Sequence, residues 1–232
     1  GLFDKIIVRG QGTFEYLWAV NDERIFSFVE NVVKYERYAR APFLAKKLYS
    51  GKNLCFVSNG VFETYQALAR ELKITNRSLH VVPNPCPLER VRTAAEEVPA
   101  DLPDEPFIVN VARLVKQKNH TLLLDAYKEA GIAEKLVLVG GGDDERKLKR
   151  YAEELGLTGK VVFLGMKKNP YPYMKHAKLF VLSSSIEGFG VVLVEALACG
   201  TPVISVDCPG GIRDVLSGEL RRFVVPMSTK AL

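Results

Sequence analysis

The sequence predicts an α/β protein whose strands run parallel in doubly wound sheets, and three observations predict it. From residue 106 onward short apolar runs recur at 107–111, 136–139, 161–164, 179–182, 203–206 and 223–225, each of buried-strand length. Helix-like segments at 119–131, 143–155, 170–177, 190–199 and 210–217 separate them, and strands alternating with helices favour a parallel sheet. Several runs end in Gly or Ser, as at 140–142 and 183–185. That is the strand edge where open α/β sheets bind their ligands.

The first 82 residues read differently. Runs at 6–8, 54–57 and 79–82 are expected strands, the apolar-rich stretch 22–49 is expected to be helical in pieces around Pro42, and a helix follows Ser58 to about Leu72. So few strands suggest the back portion of an α/β domain. Proline-rich stretches at 83–87 and 98–106 mark the transition. The expected organisation is therefore a partial first domain over 1–84, a linker over 85–105 and a second domain over 106–232.

Composition excludes several classes. The 232 residues are 47% hydrophobic and 25% charged with a net charge of +5, ordinary for a globular protein and without the basic stripe of a nucleic-acid binder. No apolar run is long enough to span a membrane, and the opening residues do not form a signal peptide. Cys55, Cys86, Cys199 and Cys208 show neither CxxC pairing nor metal spacing, which fits a reducing cytoplasm.

The most informative stretch runs from Ser184 to Glu195. It sets Glu187 and Glu195 either side of a helix start, with Gly188, Phe189 and Gly190 at the turn and Val191 and Val192 opening the helix. Free N–H groups at such a terminus bind phosphate, and Gly188 and Gly190 allow close backbone approach. Eight residues of helix rise roughly 12 Å, the span of a diphosphate with a group at either end. Glu195 lies among apolar neighbours, so the helix is expected to be buried and the carboxylate to need a partner. A nucleotide-sugar fits this arrangement, although Glu187 as a loop acid and Glu195 as an exposed helix acid remain the plain alternative.

Arg113 and Lys118 follow the 107–111 strand, where two cations could neutralise a diphosphate and stabilise its departure; a solvated basic loop is the alternative. The turn containing Gly141 lacks the dinucleotide fingerprint. Its following acids, Asp143, Asp144 and Glu145, read as a helix start rather than a metal site. His80, His120 and His176 form no triad. The segment 34–47 carries Lys34, Arg37, Arg40, Lys46 and Lys47 among aromatic and aliphatic residues, either a solvated helix face or a surface for anionic lipid. Arg9 to Gly12 is a weak candidate for acceptor contact.

These residues resemble the retaining GT-B glycosyltransferases of the group 1 (GT4) family. The likeness rests on EGFGVVLVEALACGTPV at 187–203, VARL at 111–114 with Lys118, LVGGG at 138–142, VVFLG at 161–165, NPYPY at 169–173 and DCPGGIRD at 207–214. It covers about residues 53–226, and NPYPY resembles enzymes of surface polysaccharide or lipid-linked oligosaccharide synthesis. The resemblance implies a GT-B architecture, with a nearly complete C-terminal Rossmann-like domain and the back part of an N-terminal α/β domain. It implies transfer with retention from a nucleotide-diphosphate donor, UDP-sugar by family frequency, to a glycan or lipid-linked acceptor, without metal or other cofactor.

By the same resemblance Arg113 and Lys118 hold the diphosphate, Glu187 meets donor-sugar hydroxyls and Glu195 the ribose. Amides from Gly188 to Val192 meet phosphate or sugar, Gly141 lies against the donor, and Gly165 and Met166 line the base. Cys86 and Pro87 depart from the family's hinge pattern, and the front of the acceptor domain and the last helix are expected to lie outside this sequence. The piece alone is then expected to be inactive. The expected location is cytoplasmic, with peripheral contact at the inner membrane face. Other readings are a non-catalytic nucleotide-sugar binding module, or an epimerase or phosphorylase on the same architecture; nothing marks the lysine a pyridoxal-type phosphorylase would need.

Overall fold

The structure, a computed structural model, describes residues 3–10 and 16–232. They divide into two compact units. The first takes 1–84 together with the short segments 186–189 and 209–214; the second takes 85–185, 190–208 and 215–232.

In the first unit four parallel strands pair in chain order: β1 (Ile6–Val8), β2 (Ile25–Val29), β3 (Asn53–Phe56) and β4 (Ser78–Val81). Between β2 and β3 lie α1 (Tyr35–Tyr38) and α2 (Pro42–Tyr49), and α3 (Asn59–Leu72) joins β3 to β4. Strand β2 corrects the expectation of helix across 22–49. Its sequence IFSFV is rich in β-branched and aromatic residues, but a five-residue run beside helical segments carries no period of its own. Ser58 caps α3 by accepting from the Val61 amide at 3.1 Å, and Val61, Tyr65 and Leu68 bury one face at helical spacing. That face meets Leu54, Phe56 and Phe28 in the core.

The second unit is a six-stranded parallel sheet. Its strands are β5 (Phe107–Val111), β6 (Lys135–Val139), β7 (Val161–Gly165), β8 (Leu179–Leu182), β9 (Val203–Val206) and β10 (Val224–Val225). Their spatial order is β10-β9-β8-β5-β6-β7. Helices α5 (His120–Ala130), α6 (Glu145–Glu154), α7 (Tyr171–His176), α8 (Val191–Ala198) and α9 (Ile212–Val215) fall within the segments read as helical, with shorter ends. One helix was not foreseen: α4 (Leu88–Ala94) lies in the segment read as a linker and packs against α7 and α8. It buries Val91 alone among seven residues, too little periodicity to distinguish it from a prolyl loop.

The strand order fixes where a ligand can sit. The chain goes outward from β5 to β6 and β7, then returns to the other side of β5 with β8 and proceeds to β9 and β10. Loops leaving β5 and β8 therefore diverge to opposite faces, and ligands of such sheets bind outside the strand ends where the order reverses.

Candidate functional site

Arg113 and Lys118 lie in the segment leaving β5, which closes as a 3-10 turn at Lys116–Lys118 before α5 begins. Hydroxyls from the β8 exit hold this turn. Ser183 Oγ donates to Lys118 O at 2.9 Å, while the Ser185 amide and hydroxyl reach Gln117 O at 2.9 and 3.0 Å. Beneath it Asn110 and His120 are buried. Asn110 Nδ2 donates to Val181 O at 2.8 Å, leaving Asn110 Oδ1 to accept from His120 Nε2 at 3.0 Å. Nδ1 is then the unprotonated ring nitrogen, buried and without a hydrogen-bond partner among the described residues. Burial, aided by the Lys118 charge, pushes the His120 imidazole down to about 4, so it is neutral at physiological pH. This histidine belongs to the framework of the turn.

On the other side the segment leaving β5 is stitched to the exit of β6, and that exit to the end of β7. Ala112 N donates to Val139 O at 3.0 Å, Leu114 N to Gly141 O at 2.9 Å, and Gly140 N to Gly165 O at 2.9 Å. The glycines of these strand exits divide by what stands beside them. A Cβ on Gly140 would stand 1.9 Å from Ala112 O, and one on Gly142 2.4 Å from Leu114 O, so both admit the protein's own backbone. Gly141 would meet only ordinary contacts, and Gly165, at φ +69°, has nothing within 4 Å. Met166 beside it is 78% exposed. Arg113 is exposed and belongs to no ion pair among the described residues.

Helix α8 begins after Gly190, at φ +86°, with no side-chain cap. The Leu193 amide is taken by Gly190 O at 2.9 Å. Only Leu193 and Ala196 of the helix are buried, so the expectation of a buried helix is corrected to a half-buried one. Glu195 keeps its need for a partner: Tyr171 Oη donates to Glu195 Oε1 at 3.1 Å. Burial raises the carboxyl's pKa and the Tyr171 hydrogen bond opposes that rise; burial and the neighbouring carboxylate push the Tyr171 phenol up to about 12. Tyr171 was visible in NPYPY as part of a likeness, without a role. No spacing rule connects a residue on α7 to one on α8.

Glu187 is differently placed. It precedes α8 by four residues in a loop of the first unit, so the helix rise does not measure its separation from Glu195. Its carboxylate residue is 7% exposed, its backbone bridges to Gly210, and its amide donates to Pro209 O at 3.1 Å. A Cβ on Gly188 would stand 2.1 Å from Glu30 O, and Ser58 Oγ donates to Gly188 O at 2.7 Å. The space a side chain at Gly188 would need is thus taken by the protein's own main chain. Phe189, read as an amide donor, packs its ring against the first unit's core.

Arg9 is engaged by Glu30 at 3.1 Å and Asn84 at 2.5 Å and lies over the Phe28 ring; Gln11 and Gly12 of the same candidate lie outside the described residues. Among the described residues no three His, Cys, Asp or Glu side chains group to hold a metal ion. A surface groove of about 720 Å³ beside Tyr65, Arg70, Lys73 and Arg77 lies where the chain enters β4. That is the opposite strand edge from the one where such sheets bind ligands.

Two parallel-stranded units, with a basic turn and a carboxylate-bearing helix at the reversal point of the second, define an α/β protein of GT-B type. Comparison with known proteins gives the family. The sequence model of Glycosyl transferases group 1 matches residues 92–231, and the chain belongs to that family. It is 30% identical over 229 residues to an uncharacterized glycosyltransferase of Methanocaldococcus jannaschii, covering 94% of this chain and 54% of that protein. It is 36% identical over 178 residues to N-acetylgalactosamine-N,N'-diacetylbacillosaminyl-diphospho-undecaprenol 4-alpha-N-acetylgalactosaminyltransferase of Campylobacter jejuni, covering 76% of this chain and 47% of that protein. The chain thus spans about half the length of these curated relatives. Among solved structures, Anabaena HepE in complex with UDP superimposes with a TM-score of 0.75 at 20% identity, covering 99% of this chain and 66% of that one. At that identity the likeness shows the fold.

Proposed function

We propose that this chain carries the donor side of a retaining glycosyltransferase, one that moves a sugar from a nucleotide diphosphate to a glycan or lipid-linked acceptor. The observation that carries the reading is the position of Arg113, Lys118 and the start of α8 at the β5/β8 reversal, in a member of the group 1 family. Arg113 offers a bidentate fork and Lys118 a point charge to the diphosphate. Both would gain most as charge builds on the leaving group, which is how such cations lower a barrier. Glu195, already holding one phenol, has acceptor capacity left for ribose hydroxyls. Amides at Val191 and Val192 face the phosphate or sugar, and Gly141, Gly165 and Met166 border the base side.

Glu187 is proposed to bind donor-sugar hydroxyls through its carboxylate, a role taken from the family resemblance. With no carboxylate assigned as nucleophile, the acceptor attacks on the face from which the diphosphate leaves, and the departing phosphate oxygen takes the acceptor's proton. That keeps the anomeric configuration. UDP is the proposed nucleotide, the family default and the one bound in the Anabaena structure. A lipid-linked acceptor has support in the Campylobacter relative, named for a diphospho-undecaprenol substrate.

Paired variants of the intact protein test this. Glu195→Gln is expected to weaken nucleotide binding about tenfold, some 1.4 kcal/mol. Lys118→Ala is expected to lower turnover at least as much as it weakens binding. Unchanged nucleotide affinity in Glu195→Gln contradicts the ribose assignment, and full turnover in Lys118→Ala contradicts the role in leaving-group departure.

A further inference from the structure

Every polar side chain of the NPYPY segment, residues 169–173, is committed within the second unit. Asn169 Nδ2 donates to Ala94 O at the end of α4 at 2.7 Å, and Asn169 Oδ1 accepts from the Tyr171 amide at 3.2 Å. Tyr173 Oη donates to Asp101 Oδ1 at 2.5 Å, on a carboxylate that also pairs with Lys167. Pro172 presets the first turn of α7, His176 Nδ1 donates to Pro172 O at 2.8 Å, and Thr201 Oγ1 donates to Met174 O at 2.6 Å. Helix α7 is thereby tied along its length and packs on both α4 and α8. From this fixed element Tyr171 Oη reaches Glu195 Oε1 on α8 at 3.1 Å.

The two phenols of the segment differ in what they hold. Asp101 has a lysine besides its tyrosine, whereas Glu195 enters no ion pair among the described residues and takes its hydrogen bond from Tyr171. A carboxylate offers roughly four acceptor positions. The phenol fills one and fixes the plane of the group, which leaves Oε2 and the rest of Oε1 to receive two neighbouring hydroxyls at once. The same bond keeps the carboxylate charged, because burial raises the Glu195 pKa and the Tyr171 hydrogen bond lowers it. Cys86, Arg90 of α4 and Cys199 at the end of α8 also act on this pair or feel its charge, and Lys175 acts on Cys199. Burial pushes both thiols up, away from the range in which Glu195 titrates.

We infer that Tyr171 is a positioning residue for nucleotide choice: it orients Glu195 so that the carboxylate takes the 2′- and 3′-hydroxyls of a ribose together, and the site thereby rejects deoxyribonucleotides. The inference rests on the assignment of Glu195 to the ribose. Tyr171 acts through Glu195, by geometry and by charge, and a site built to bind hydroxyls in pairs leaves an acceptor unmet when one is missing. Phenylalanine at 171 would keep the ring and its packing but release the carboxylate to turn. The rest of the segment then has a use as the mount for this one hydroxyl.

Calorimetric titration of the intact protein with UDP, 2′-deoxy-UDP and 3′-deoxy-UDP tests it, with the guanine or adenine series used instead if GDP or ADP binds better. The natural protein is expected to prefer the ribonucleotide at least about tenfold. Tyr171→Phe should lose most of that preference by weakening the ribonucleotide and leaving the deoxy forms unchanged. It should also move the acid limb of ribonucleotide binding to higher pH, while the nucleotide's own phosphate titration is common to both proteins. Tyr173→Phe removes a phenol hydrogen bond from the same helix and should keep both the preference and the limb, whatever it costs in stability. A preference lost in Glu195→Gln but intact in Tyr171→Phe, with an unmoved acid limb, overturns the inference and leaves the donor-site reading standing. Equal losses of preference in Tyr171→Phe and Tyr173→Phe reduce Tyr171 to a structural role and overturn it too. Equal binding of all three nucleotides by the natural protein overturns the ribose assignment itself, and the inference falls with it.

Discussion

Glu187 and Glu195 stand on one short stretch of sequence, yet opposite means hold them. Backbone fixes Glu187: its amide and carbonyl are locked against 209–210, and the glycines at 188, 210 and 211 leave room only for main chain. A side chain fixes Glu195: α8 presents it half-buried and Tyr171 satisfies it. The first carboxylate should therefore be lost through steric changes in the glycines packed around it. The second should respond to changes in hydrogen bonding and pH.

The largest effect expected breaks the backbone arrangement. A Cβ at Gly210 would stand 1.5 Å from Glu187 O at a φ of +114°, so Gly210→Ala should cost about 3 kcal/mol or more, read as a lowered denaturant midpoint. The matching change in the second unit, Gly165→Ala, faces open space at φ +69° and should cost only about 1 kcal/mol. Equal losses in the two variants would erase the contrast.

His120 sharpens it on the side of titration. Its folded pKa lies below its ordinary value, so the unfolded chain gains a proton first as pH falls. Stability should be lost between about 6.5 and about 4, on the order of 3 kcal/mol in all. His120→Gln should flatten that part of the stability–pH curve while keeping a donor to Asn110.

Glu195 has the opposite sign. Its folded pKa is raised, so stability should fall as pH rises from the unfolded carboxyl value through the folded one. Tyr171→Phe removes the hydrogen bond that lowers that pKa, carrying the fall to higher pH at a cost of about 1 kcal/mol. Glu195→Gln should abolish it. A pH profile identical in all three proteins would show that Tyr171 does not support the carboxylate.

The same contrast explains what the sequence disclosed. Strands 107–111, 179–182 and 203–206 were legible to the residue, because buried parallel strands announce themselves as apolar runs between helical segments. The positions of Arg113, Lys118 and Glu195 at a sheet edge followed from the same pattern. What escaped was tertiary. The glycines at 140, 142 and 188 look alike as ligand openings, and only the main chain packed against them reveals that they serve the fold. Tyr171 meets Glu195 across two helices, a contact no local period encodes. Strand β2 and helix α4 were hidden because each is short and was judged by its surroundings, one apolar-rich and the other prolyl.

Calorimetric titration of the intact protein with UDP, GDP and ADP, with and without magnesium, tests the central claim most directly. The account predicts that one of the three binds without magnesium and that Glu195→Gln weakens it about tenfold. A folded protein that binds none of them, or binds one with affinity indifferent to Glu195, would contradict the assignment of the β5/β8 reversal as a nucleotide-sugar site.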